Sequence, residues 1–400
     1  MDSLSTDGEE TLSSLTDAQE EVMSICMVIS GLLSMFGSTT IVYRVLKKKK
    51  DKKPFDRIML GLSTFDIIGS FSFVLTPFAL PAATSPRVWA AGNDASCSFL
   101  GYLSQLSIGA AWYSCLLSFY FLATLRLRVS NDDFAVRFEP YIHGLSIFYF
   151  LFTATIGVPF HLYRETELGL GCWVTNRVPL DCTRNLDCIG HIVAWFYGGL
   201  CLFFTMVALP LNYFFTYCFV RQTLKILARH NPIQAMQVRK LGVQGTLYVL
   251  AFFISYGPQL IIRIFAIAYS YERSAEPGIY WLLVLNSICY PLQGFLNMFV
   301  YSRPNFLKLR EAGMPLFQAL RAACFQNDIP KAMEQRTLRV RSSKHYDSSE
   351  EITKFLSNVE RRASAVSIKK PVRHYEESSL GFLPEVIEVV PNDEESTAEE

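Results

Sequence analysis

Seven stretches of the chain, residues 22–46, 58–80, 99–125, 141–163, 191–219, 241–269 and 279–301, are apolar over about 20 residues or more. Runs of this length cross a bilayer as α-helices, because a helix pairs its own backbone groups where lipid offers them no partner. The pattern predicts an all-α membrane protein built on a seven-transmembrane helix bundle. Its loops are short except the outer one at about 164–190 and the inner one at about 220–240. The last stretch is unusual: NSICYPLQGFLNMFVY (286–301) carries polar groups through its middle. At ~100° per residue, Asn286, Tyr290, Gln293, Asn297 and Tyr301 fall within an arc of about 80°. An unpaired polar group is costly in lipid, so this stripe is expected to face protein or trapped water.

Composition agrees with this reading, since 50% hydrophobic and only 18% charged residues suit a membrane protein better than a soluble enzyme. Residues 1–21 are acidic, without Lys or Arg, and do not resemble a cleavable signal peptide, so the first span is expected to direct insertion. Basic residues set the orientation. RVLKKKKDKKPFDR (44–57), with Arg126, Arg128, Arg137, Arg221, Lys225, Arg229, Arg239 and Lys240, lies on one side, against Arg87, Arg164, Arg177, Arg184 and Arg273 on the other. The basic side is inside. The N-terminus is therefore extracellular and the C-terminus cytoplasmic, with the KKKKDKK run (47–53) read as topology and anionic-lipid contact rather than nucleic-acid binding.

Beyond the bundle (22–301), residues 302–325 mix apolar and basic positions at near-helical spacing, as expected of an amphipathic helix on the inner membrane surface, with Pro315 breaking it. Cys324 there is either a palmitoylation site or an ordinary exposed thiol. Residues 326–400 are Ser-, charge- and Glu-rich and read as a disordered cytoplasmic tail. Within it Ser364 follows two arginines, while Ser348 and Ser349 precede acids. These patterns suit basophilic and acidophilic kinases respectively.

Cys97, Cys172, Cys182 and Cys188 lie in or beside the outer segments, where disulfides persist. Of the three pairings that four cysteines allow, Cys97–Cys172 with Cys182–Cys188 is preferred. It ties span three to the second outer loop.

Asp66 and Arg263 are the ionisable residues well inside the spans, and such residues are costly enough to be functional candidates. Asp66, about 12 Å from the inner end of its predicted span, is too short to reach water, so polar partners are expected from Asn286, Asn297 or the Tyr290–Gln293 region. It is either a structural carboxyl or a group that changes partners, with sodium or a proton, during activation. Arg263 shares a face with Gln259 and Ser255. It either snorkels to the headgroups or joins His161, Arg164 and His191 in an anion-attracting outer pocket. Pro77, Pro159, Pro210, Pro258 and Pro291 fall within spans, and Pro258 and Pro291 are the candidate hinges.

Seven spans, an outer N-terminus, a Cys above span three joined to the second outer loop and a helix after span seven together resemble a G-protein-coupled receptor. Cys172-Trp173, and Gln293-Gly294-Phe295 followed by Asn297 and Tyr301, are similar to motifs of the cyclic-AMP-receptor-like receptors of protists, which share features with the secretin-like group. Leu62-Ser63 with Asp66 resembles the rhodopsin-like span-two motif. The chain departs from the superfamily after span three, where FLATLRLRVSNDDF (121–134) replaces Asp-Arg-Tyr, and span seven lacks Asn-Pro-x-x-Tyr.

The resemblance implies a plasma-membrane receptor that senses a small extracellular ligand and activates a heterotrimeric G protein, with Arg126, Arg128, Arg221, Lys225, Arg239 and Lys240 as contacts. An anionic ligand is the first expectation. Asp66, Asn286, Tyr290, Pro291, Gln293, Asn297 and Tyr301 form the expected activation network.

The rival reading is a seven-span small-solute transporter of the Pro-Gln type, for which Pro258-Gln259 supplies one dipeptide without a visible repeat. A microbial-type rhodopsin needs a Schiff-base lysine in its last span, and no Lys occurs in any of the seven. No enzyme site, metal cluster or cofactor is expected.

Overall fold

The computed structural model describes residues 15–48, 52–82, 89–166, 171–174, 186–230, 232–268 and 279–325. Seven long helices cross the bundle: α1 (Asp17–Lys47), α2 (Pro54–Ala79), α3 (Asp94–Leu125), α5 (Glu139–Gly157), α6 (Leu186–His230), α7 (Pro232–Ala268) and the seventh in two pieces. Those pieces are α8 (Tyr280–Cys289) and α9 (Gln293–Glu311), joined by a 3₁₀ turn at Tyr290–Leu292. The short α4 (Asn131–Arg137) and α10 (Leu316–Phe325) complete the helices among the described residues.

Helix ends follow local chemistry. Thr16 and Gln19 form a capping box at α1, Asn93 and Ser96 another at α3, and Ser130 caps α4. Pro54 begins α2, where a missing N–H costs nothing. By length and apolarity α1, α2, α3, the 238–262 part of α7 and the stretch 280–311 each suffice to cross a membrane. At 19 residues, α5 reaches about 28 Å, close to one hydrocarbon thickness.

The central helix α3 touches α2, α5, α6, α7 and the strands β1 (Tyr163–Glu165) and β2 (Cys172–Val174), at the end of the bundle that the charge pattern above is expected to place outside. It buries Gly109, Ala110, Ala111, Tyr113 and Leu117 among others. Helix α1 presents the small side chains Ser30, Gly31, Ser34, Gly37 and Ser38 to its neighbours, and small residues of this kind let membrane helices approach closely. Its opposite face leaves Ile29, Leu32, Leu33 and Phe36 exposed, as lipid requires.

Four expectations change. The fourth helix stops at Gly157, and Pro159 sits in the following turn rather than inside a helix; Leu162 N–H donates back to Gly157 O, and Tyr163 already belongs to a hairpin strand paired with Val174. The inner stretch 220–240 is helical rather than a loop, because α6 continues to His230 and α7 starts at Pro232. Its basic residues extend two membrane helices beyond the apolar region. The predicted surface helix 302–325 is divided: 302–311 prolong α9 through Pro304, and Pro315 precedes the separate α10. Cys324 is buried rather than exposed, which removes it as an accessible acylation site.

Two units are distinguished. The larger comprises Met1–Phe306 and Phe317–Asn327, and Leu307–Leu316 belong to the second. Within the larger unit α10 buries Ala319, Ala322, Ala323 and Cys324, and the Phe325 ring lies 6.1 Å from that of Phe36 on α1. Within the second, Gly313 adopts φ +86°, a conformation that favours glycine, and Arg310 donates to Met314 O.

Candidate functional site: a polar seam and an inner cavity

The polar stripe of the seventh helix does face inward, since Asn286, Gln293, Asn297 and Tyr301 are all buried. Pro291 lies in the 3₁₀ turn, where it has no N–H to offer the ladder. Just below, the Gly294 N–H donates to Ser34 Oγ of α1 at 2.9 Å. Gln293 Nε2 donates to Ser114 Oγ of α3 at 3.0 Å, and Asn297 Nδ2 donates to the Asp66 carboxylate of α2 at 3.3 Å. One helix thus pairs with three others through successive polar residues.

Asn297, among the three expected partners, is the one that binds Asp66. Helix α2 begins at Pro54, earlier than the apolar run suggests, so Asp66 lies about 18 Å along it. Asn286 Oδ1 is buried without a hydrogen-bond partner among the described residues. Tyr290 instead makes edge contacts with Phe73 and Tyr256, at 5.0 and 5.3 Å between ring centroids. A cavity of about 20 Å³ bounded by Ser34, Asp66, Ser107, Tyr256, Tyr290 and Gln293 lies between these groups. It has room and polar partners for one water.

Tyr301 belongs to a second cluster at the inner end. Its hydroxyl donates to Asp56 Oδ1 at 3.3 Å, the same oxygen that accepts from Lys48 Nζ at 2.5 Å. Its ring stacks on Phe55 with centroids 6.1 Å apart, and Arg44, which donates to Ser302 Oγ at 2.9 Å, lies 5.0 Å over that ring.

Close backbone approach explains the Gln-Gly pair. A Cβ on Gly294 would stand 2.0 Å from Ser38 Oγ and 2.8 Å from Ser34 O, and one on Gly37 would stand 2.7 Å from Phe295 Cα. Only glycine at both positions lets α1 and α9 meet.

At the outer end Cys97 and Cys172 form a disulfide, with Cα atoms 5.4 Å apart. Cys182 lies outside the described residues, as does the side chain of Cys188 on α6. The neighbouring Trp173 donates from Nε1 to Gln105 Oε1 at 2.9 Å, and Gln105 Nε2 donates to Thr153 Oγ1 at 3.2 Å. The outer strand is thereby wired to α3 and α5 through a residue that sequence reasoning missed. Two polar contacts of α5 were also missed: Tyr113 OH of α3 and His143 Nδ1 share a hydrogen bond of 2.8 Å, and Arg57 of α2 binds both carboxylate oxygens of Glu139.

The expected ligand pocket is not gathered by the described side chains. His161 is exposed, in the left-handed region at φ 49°, and Arg164 is exposed on β1 opposite Trp173. Gln259 is half-buried on α7, and the side chains of Arg263 and His191 lie outside the described residues. The tail serines Ser348, Ser349 and Ser364 lie outside them as well.

The inner candidates separate by position. A cavity of about 270 Å³ lies among α3, α6 and α7; Arg221 and Arg239 line it, as does Asn297. Arg126 lies 5.9 Å over the Phe219 ring of α6, and Arg128 sits in the turn before α4 at φ 54°. Lys225 and Lys240 are exposed.

No family model matches the chain, and no curated protein matches it. Among solved structures, the crystal structure of squid rhodopsin is similar, with a TM-score of 0.50 at 15% identity, over 79% of this chain and 94% of that chain. The chain therefore shares the fold of that structure, an all-α bundle of membrane helices.

Proposed function

We propose that the chain is a G-protein-coupled receptor of the plasma membrane, with its N-terminus outside, that responds to a small extracellular molecule and prompts a heterotrimeric G protein to release GDP. The observation that carries this reading is the cavity at the inner halves of α3, α6 and α7, which bears Arg221 and Arg239 and extends to Asn297, the partner of Asp66. A partner entering there from the inner side contacts the group that joins α2 to α9. Its binding is thus coupled to the packing of the seam, and a seam with two arrangements transmits a stimulus as a population shift. Arg126, Arg128, Lys225 and Lys240 extend the partner surface.

Asp66, Asn286, Tyr290, Pro291, Gln293, Asn297 and Tyr301 are the switch in this account, with Asp66 exchanging Asn297 for water, sodium or a proton. The ligand is a small anionic molecule attracted by Arg263, Gln259, His161, Arg164 and His191 at the outer ends. Kinases acting on Ser348, Ser349 and Ser364 regulate the tail. The cyclic-AMP-receptor-like group is supported by the use made of its two motifs: Cys172-Trp173 anchors the outer strand, and Gln293-Gly294 binds Ser114 and Ser34. The rhodopsin-like bundle favours a receptor over the Pro-Gln transporter.

The test is expression in cells carrying a panel of G-protein activation sensors, challenged with extracellular fractions from the organism's surroundings. Basal or stimulated activation supports the receptor. Solute flux into vesicles without any activation supports the transporter and refutes it.

A further inference from the structure

We infer that the cavity among α3, α6 and α7 is a binding site for a single-chain amphiphile with an anionic head, admitted from the inner leaflet. The inference goes beyond the receptor reading and does not depend on it. Leu117, Leu209, Val220, Leu224 and Val249 supply apolar wall, and the hydroxyls among the lining residues are largely spent on the protein itself. Thr216 Oγ1 donates to Asn212 O, Thr246 Oγ1 to Gly242 O and Ser114 Oγ to Ala110 O, while Tyr213 OH donates to Thr246 Oγ1. Tyr248 OH is not spent in this way, and the rest of the wall turned to the cavity is mostly carbon. A space of about 270 Å³ has room for several waters, and water gains little in a mostly apolar space that offers few hydrogen bonds. An alkyl chain fits that environment.

The inner mouth has the opposite chemistry. Arg221 and Arg239 are exposed, line the cavity and have no acidic partner among the described residues. Two other basic side chains near the inner face are paired, Lys48 with Asp56 and Arg57 with Glu139, whereas these two guanidinium groups border the cavity unpaired. Two unmatched guanidinium groups at the end of an apolar chamber complement a carboxylate or phosphate ester carried on a hydrocarbon chain. Leu241, also on the lining, is 47% exposed, so the wall is open at the level of the arginines.

The experiment uses the full chain in phosphatidylcholine nanodiscs with a diazirine-bearing palmitate, photolysed and mapped by peptide mass spectrometry, without any G protein. Adducts are expected at lining positions of α6 and α7 such as Leu209, Leu224 and Val249. A palmityl alcohol analogue should label them at least about tenfold less, as expected for loss of a charge-assisted contact. The Arg221→Gln/Arg239→Gln double variant, altered only at exposed positions, should show the same loss. Gly245→Trp should abolish the adducts: a Cβ there meets Phe121 at 3.5 Å, an ordinary contact, and the indole would fill the space. Adducts confined to lipid-facing residues such as Phe214 and Ile254, equal labelling by the alcohol, or labelling unchanged in the arginine variant would each overturn the inference. Labelling is read without a G protein and nucleotide exchange without the probe, so either proposal can fail while the other stands.

Discussion

Asn297 donates to Asp66 at 3.3 Å across the α2–α9 contact, and both side chains are buried. A buried carboxyl in a membrane bundle needs such a donor, and the amide in turn needs an acceptor. Asp66→Ala and Asn297→Ala should each cost about 1–3 kcal/mol, the range for a buried group left unpaired. The double variant should cost less than their sum by about 0.5–3 kcal/mol. Thermal unfolding in detergent, followed by a thiol-reactive dye reporting exposure of buried Cys115 and Cys201, provides the measurement. Strict additivity would mean that the two residues do not act as a pair.

The α1–α9 approach makes a sharper demand. Gly294→Ala would drive a methyl against Ser38 and the Ser34 backbone, and a clash in a well-packed region costs about 1–3 kcal/mol. Gly257→Ala, on the neighbouring α7 with nothing within 4 Å of the added Cβ, is the control and should leave unfolding unchanged or raise its temperature. Equal melting temperatures for the two variants would contradict the described contact.

Disulfide loss should be indifferent to which cysteine is removed. Cys97→Ala, Cys172→Ala and the double variant should lose the same amount of surface expression, because the cross-link disappears in each. Mass mapping of the unreduced wild-type chain should recover a Cys97–Cys172 peptide. A further loss in the double variant would indicate separate roles for the thiols.

The two arginines after α3 should behave differently. Arg128 holds a left-handed backbone conformation, so Arg128→Gly should be neutral or stabilising by up to about 1 kcal/mol. Arg126 reaches toward α6 over Phe219, and Arg126→Ala should weaken the proposed G-protein coupling more than Arg128→Gly does. The comparison is made on sensor response at matched surface expression.

Much of this architecture is readable in the chain because the bilayer imposes one simple demand on every span. The seven runs and the inward stripe from Asn286 to Tyr301 follow from apolar length and helical period, while compartment left three pairings of the outer cysteines, of which the preferred Cys97–Cys172 is the one formed. What could not be read depends on how helices rotate against one another. Ser34 and Ser114 look like fillers in apolar runs, yet they accept from Gly294 and Gln293. Gln105 and the Arg57–Glu139 pair likewise acquire meaning only from partners on other helices. The basic stretch 220–240 resembled a loop because its charges mask a helical backbone that runs past the membrane. Gly157 ended α5 earlier than hydropathy indicated, since apolar Val158, Phe160 and Leu162 continue the run without continuing the helix.

The central claim is that this bundle catalyses nucleotide exchange on a heterotrimeric G protein. The most direct measurement is uptake of a non-hydrolysable GTP analogue by purified heterotrimers mixed with the chain in nanodiscs, with and without the extracellular fractions. The account predicts uptake faster than the heterotrimer alone for at least one G-protein class, and its loss when Arg126→Ala replaces the wild-type chain. Uptake equal to that of the heterotrimer alone for every class, with and without those fractions, would contradict it.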